Sequence, residues 1–87
     1  MSKKIYQQFT GANIIAVTLE HNGFQGGNAS HGGFVKLNIE NLSSTNMSLN
    51  GIDCSSFEVT FRGDSERETL LSALKMVVKE LEQNETI

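Results

Sequence analysis

Apolar and polar residues alternate along two stretches of the chain. From Asn13 to Asn22, Ile15, Val17 and Leu19 interleave with Ala16, Thr18 and Glu20; from Phe34 to Asn41, Val35, Leu37 and Ile39 interleave with Lys36, Asn38 and Glu40. A period of two sends successive side chains to opposite faces, so each stretch predicts a strand with one buried and one wet face. Asn46 to Leu49 predicts a short third strand with Met47 and Leu49 inward. Asn50-Gly51 follows, a strong hairpin signal because both central positions of a type I′ turn need positive φ. The returning strand runs from Ile52 to Arg62. Its inward phase starts with Ile52 and Cys54 and restarts at Phe57, Val59 and Phe61, so the parity flips at Ser55-Ser56, where a β-bulge would supply the extra residue. Residues 1–12 are polar with two isolated aromatics, Tyr6 and Phe9. They read as a loosely ordered arm or an edge strand, with an arm packed on a neighbouring subunit as the sharper alternative.

After Gly63 the period changes. Leu70, Leu71, Leu74, Val77, Val78 and Leu81 form a broad apolar stripe at helical spacing, with Ser72, Lys75, Lys79 and Glu82 away from its centre. Ser65 with Glu68 three residues later fits a capping box, and Asp64 is the alternative cap. A helix over 65–82 is expected, with 83–87 a frayed tail. The stripe matches the inward faces of the strands. The expected fold is therefore a single α+β domain over 1–87, in two layers: an antiparallel sheet of about four strands spanning 13–62, and one C-terminal helix packed on one face. The opposite face, carrying Thr18, Lys36, Asn38, Glu58, Thr60 and Arg62, should be polar.

Length and charge add constraints. A domain of 87 residues buries only about 60–65% of its unfolded surface. Cys54 is the only cysteine, which rules out an intrachain disulfide and fits a reducing compartment. Without a disulfide or an evident metal, homo-oligomerisation is the expected source of extra buried surface. The basic start Met1-Ser2-Lys3-Lys4 leads into no apolar targeting segment, and no run approaches the roughly 18 apolar residues of a membrane span. A cytoplasmic protein with no membrane partner is expected. Net charge is −3, and Lys36, Arg62, Arg67, Lys75 and Lys79 are scattered rather than striped, which argues against duplex nucleic acid.

The segment Asn22–Gly33 holds five of the eight glycines and is about twice as long as a hairpin needs. Glycine loses the most conformational freedom on folding, so its concentration here asks for a local reason. One reason is ligand approach: successive bare N–H groups make an anion-binding concavity. Gly26, Gly27, Ala29, Gly32 and Gly33 would supply backbone donors, Asn28, Ser30 and His31 side-chain donors, and Phe24 a stacking surface. The other reason is a wide turn with glycines at positive φ. Gly-x-Gly-x-x-Gly and the P-loop Lys-Ser/Thr are absent, and a strand follows the loop, so dinucleotide-fold and NTPase readings fail.

Other groups are weaker candidates. His21 is in phase with Ile15, Val17 and Leu19 and reads as the end of the buried row, hydrogen-bonded to a backbone carbonyl. His21 and His31 with Asp53, Asp64 or Cys54 match no metal-ligand spacing, so no metal and no cofactor are expected. Cys54 reads as a small core residue. Arg62, just before the helix, is the cation best placed to help hold an anion, unless it pairs with Glu58. No nucleophile–base–acid set emerges, which points away from an enzyme; a hydrolase acting through His31 and Asp64 is the least supported alternative.

The runs Gly26-Gly27-Asn28-Ala29-Ser30-His31-Gly32-Gly33-Phe34 and Phe61-Arg62-Gly63-Asp64-Ser65-Glu66, the second followed by a helix, resemble a family of short proteins encoded by bacteriophages and prophages. That family's pattern has a Gly-Gly-Asp/Asn-Ala-x-His-Gly-Gly loop before a strand and a Gly-Gly-Asp-x-Glu turn opening a C-terminal helix. Arg62 departs from it where a second glycine is usual. The resemblance spans residues 13–82 and implies a phage context, hence the host cytoplasm. Small phage proteins of this size include oligomeric sponges that sequester the cyclic nucleotide or cyclic ADP-ribose signals of bacterial anti-phage defence. The expected function is accordingly a non-enzymatic, homo-oligomeric binder of a small nucleotide-type ligand at the glycine-rich loop. The alternative is an interaction protein that binds and inhibits a host protein.

Overall fold

The computed structural model describes residues 2–84. Two strands form where alternation predicts them, β2 at Ile14–His21 and β3 at Phe34–Ser43, and the returning strand β6 covers Ser56–Arg62. The N-terminal stretch is a full strand, β1 at Lys3–Thr10. Together they make an antiparallel sheet in the order β1-β2-β3-β6. One helix, α1, spans Asp64–Asn84. The expected α+β architecture is therefore present.

The strand inventory differs from expectation in the middle of the chain. The Asn50-Gly51 turn forms with positive φ at both residues, but it joins two-residue strands, β4 (Ser48–Leu49) and β5 (Ile52–Asp53), that make their own small sheet. The fourth place in the main sheet goes to β1. After β3 the chain turns away: Asn41 bonds Thr45 through both ends of its amide, and Ser44 adopts φ 61°. The Cys54 N–H then donates to Met47 O, and the Asn41 N–H donates to Ser55 O. The parity flip at Ser55-Ser56 is thus a passage between two sheets rather than a bulge in one strand. The irregularity in the main sheet lies instead at Ile14/Ile15, where β2 shifts register against β3.

Register sorts the faces. Leu19 stands opposite Ile5 and Leu37, and Leu37 opposite Val59, which defines an apolar face. Thr18, Asn38 and Glu58 align on the other, polar face, as do Lys36 and Thr60 beside Phe34 and Arg62. The helix begins over the apolar face, where Leu70, Leu71 and Leu74 line an open groove of about 170 Å³ with Leu19, Val35 and Leu37.

This closure is partial. Among the described apolar residues only Ala16 (1% exposed) and Val35 (7%) are buried. Leu70 is half-buried, but every helix residue from Leu71 to Gln83 is exposed, Leu71 by 52% and Leu81 by 63%. Met47 and Cys54, expected in the core, are half-buried, and Leu49 is exposed. The Cα radius of gyration is 14.9 Å, against about 12 Å for a compact chain of this length.

Candidate functional site

The glycine-rich loop is folded around a carboxylate. Asp64, the first residue of α1, accepts hydrogen bonds from three successive backbone N–H groups: Gln25 to Oδ1 at 3.0 Å, Gly26 to Oδ2 at 2.9 Å and Gly27 to Oδ2 at 3.1 Å. The anion-binding concavity that the glycines predict does form, but its anion belongs to the same chain. The Asp64 N–H donates to Gly27 O at 2.8 Å and the Gly63 N–H donates to Gly33 O at 2.9 Å, so main-chain bonds tie the loop to the helix start as well.

Gly63 is essential to this junction. Its φ is +108°, and a Cβ there would stand 2.5 Å from Glu66 Oε1 and 3.2 Å from Ala29 N. The Arg67 N–H donates to Gly63 O, so Gly63 itself occupies the helix cap. No Ser65–Glu68 capping box is seen among the described residues. Asp64 does not cap its own helix either; its carboxylate caps the loop.

The donors around Asp64, the Gln25 N–H foremost, hold its carboxyl below the ordinary 3.8. Desolvation opposes them, while the Gly26 and Gly27 N–H groups and the Arg67 charge act with them.

Further hydrogen bonds within the loop fix its later turns. Asn28 Oδ1 accepts from the Ser30 N–H and hydroxyl, capping one turn of 3-10 helix at Ala29–His31, and the Gly32 N–H closes it onto Ala29 O. Asn22 spans the mouth of the loop, donating from Nδ2 to Gly32 O and accepting the Phe34 N–H. The His31 ring lies over Gly26 and Gly27, where a Cβ would meet it at 3.7 Å. Arg67 places its guanidinium 4.6 Å from the centre of the Phe24 ring, so one face of that ring is taken. Arg67 Nη1 also lies 3.1 Å from Nδ1 of His21, which accepts the Gly23 N–H at 3.1 Å. The partner expected for His21 was a backbone carbonyl; the observed ones are an N–H and a guanidinium.

The predicted site residues therefore divide. Gly26, Gly27, Asn28, Ser30, His31 and Phe24 build and hold the loop. Ala29, Gly32, Gly33 and Arg62 instead border a separate concavity on the polar face of the sheet, about 330 Å³, completed by Phe34, Lys36 and Thr60. Arg62 stands opposite Phe34 and Lys36 opposite Thr60, which makes the two cations diagonal neighbours. Cross-strand diagonals are roughly 7–8 Å apart at the backbone, a separation that one phosphate-sized anion can bridge. Among the described residues neither cation is in an ion pair, Arg62 with Glu58 included, although Glu20 faces Lys36 from β2. Sequence reasoning missed Lys36, Thr60 and Phe34 as a site; the signal available was their shared parity with Arg62 on the wet face.

Among the described residues no cluster of three or more His, Cys, Asp or Glu is arranged to hold a metal ion, and no helix is long and apolar enough to cross a membrane. Comparison with protein-family models, with curated proteins and with solved structures finds no match to this chain.

Proposed function

We propose that this chain is a non-enzymatic binding protein that holds a small anionic, nucleotide-type ligand in the concavity bordered by Arg62, Lys36, Thr60 and Phe34, where the glycine-rich loop meets the sheet. The observation that carries the reading is the pair of cations without ion-pair partners, set on a diagonal beside a hydroxyl, the Phe34 side chain and Gly32 and Gly33. Arg62 takes a phosphate with its planar fork, Lys36 adds a point charge, Thr60 donates a hydrogen bond, and Phe34 offers apolar contact to a sugar or base. The loop's part is structural: it supplies one wall of the site rather than the donors.

Binding without chemistry is favoured because the carboxylate that a hydrolase would use is engaged. Asp64 accepts three backbone N–H groups, and His31 lies against the glycine backbone. Sequestration of a cyclic nucleotide or ADP-ribose-type signal in a phage-infected host is the biological use that we propose for such a site.

The test is a melting-temperature screen against cyclic di- and trinucleotides and ADP-ribose isomers. A ligand that binds only the native state raises the melting temperature with its concentration over Kd. We expect at least one compound to do so and to be recovered unchanged after denaturation. No shift with any of them at millimolar concentration contradicts the reading.

A further inference from the structure

The chain exposes 6476 Å². A compact monomer of its 9.5 kDa exposes about 5,000 Å², which leaves an excess of about 1,500 Å². The excess is not spread evenly. On α1 Leu71, Leu74, Val78 and Leu81 form an exposed apolar stripe bordered by Lys75, Lys79 and Glu82, and on the same side of the sheet Ile5 and Phe9 of β1 are exposed. A helix ridge and an open sheet face thus lie next to each other on one surface.

We infer that this surface is the interface of a homo-oligomer, occupied by a second copy of the chain whose α1 packs against the open part of the sheet. Three observations select that occupant. The surplus area falls within the roughly 1,000–2,500 Å² that each subunit buries in an obligate interface, and the surface is apolar like one. The surface is self-complementary, since each copy brings both a ridge and a face to receive one, as a two-fold interface requires. Finally, only Ala16 and Val35 are buried among the described apolar residues. A chain with so small a core needs its partner in order to fold, and a second copy is present wherever the chain is made.

The inference does not depend on the ligand proposal, because the concavity at Arg62 and Lys36 lies on the opposite face of the sheet from Ile5 and Phe9. The experiment is a light-scattering mass of the full chain over a wide concentration range, for the wild type, Val78→Lys and Leu81→Lys. The wild type is expected at twice 9.5 kDa or a higher multiple. Each lysine variant is expected to lose that assembly, because it puts a charge into the apolar interface at a position that is already solvated in one isolated chain. If a variant unfolds on dissociation, the wild type decides the matter: its melting temperature must rise with protein concentration, as it does for an obligate oligomer. A wild type that stays at 9.5 kDa at every concentration overturns the inference and leaves the face to a different protein. Folded lysine variants that keep the wild-type mass overturn it too.

Discussion

Asp64 and Gly27 are bonded to each other twice: the Gly27 N–H donates to the Asp64 carboxylate at 3.1 Å, and the Asp64 N–H donates back to Gly27 O at 2.8 Å. This reciprocal pair joins the middle of the glycine-rich loop to the first residue of the helix. Asp64→Ala removes the shared acceptor of three N–H groups, whereas Asp64→Asn keeps an acceptor oxygen and removes the charge. We expect Asp64→Ala to lower the melting temperature and to speed amide exchange at Gln25, Gly26 and Gly27, while the ladder amides of Leu37 and Val59 stay protected. Asp64→Asn should fall between it and the wild type. Exchange measured residue by residue by NMR checks both.

The same pair gives a pH dependence with a fixed sign. The folded-state pKa of Asp64 lies below its ordinary 3.8. The stability it contributes is therefore complete above the unfolded value and is lost as pH falls through the folded value. Melting curves taken from about pH 5 down to about pH 2 should show the wild type losing more stability than Asp64→Asn, with the two converging at the acid end.

Gly63 and Gly11 make a controlled comparison. Gly63 has φ +108° and would place a Cβ 2.5 Å from Glu66 Oε1, whereas Gly11 has nothing within 4 Å and no positive φ. Gly63→Ala should cost more than about 1 kcal/mol, and Gly11→Ala should be neutral or stabilise by up to about 1 kcal/mol. For a domain of this size each kcal/mol moves the melting temperature by about 4–8 °C, so the two variants separate in one thermal scan.

Arg67 links the loop to the helix by a second route. Its guanidinium covers Phe24 at 4.6 Å and approaches Nδ1 of His21. A double-mutant cycle between Arg67→Ala and Phe24→Leu should give a coupling of about 0.5–1 kcal/mol, the range of a partly exposed cation–π contact. A coupling near zero would mean that the two side chains act independently.

The parts of the fold visible in the sequence are those governed by local rules. Alternation marks β2 and β3 because each has one wet face, and Asn50-Gly51 marks its turn because few residues accept two successive positive φ values. Strand β1 is less legible: all eight of its residues are exposed, so pairing of its backbone with β2, rather than burial of a side-chain row, defines it. The role of Asp64 is set by contacts 37–39 residues away in sequence. An Asp-Ser pair before an apolar stripe reads as a helix cap, and nothing local distinguishes a carboxylate that caps its own helix from one that caps a distant loop. The usable signal was the coincidence of a donor-rich glycine loop with an acceptor at a helix start.

We propose a division of labour in which Asp64 holds the loop and Arg62, with Lys36 beside it, holds a ligand. The most direct measurement is a calorimetric titration with whichever cyclic nucleotide or ADP-ribose isomer gives the largest melting shift, into the wild type and into Arg62→Ala and Lys36→Ala. We expect each substitution to weaken binding by about 1.5–3 kcal/mol, roughly tenfold to a hundredfold or more, with the ligand-free melting temperature unchanged. Full affinity in both variants, or a loss of affinity that appears only when the ligand-free protein is itself destabilised, would contradict it.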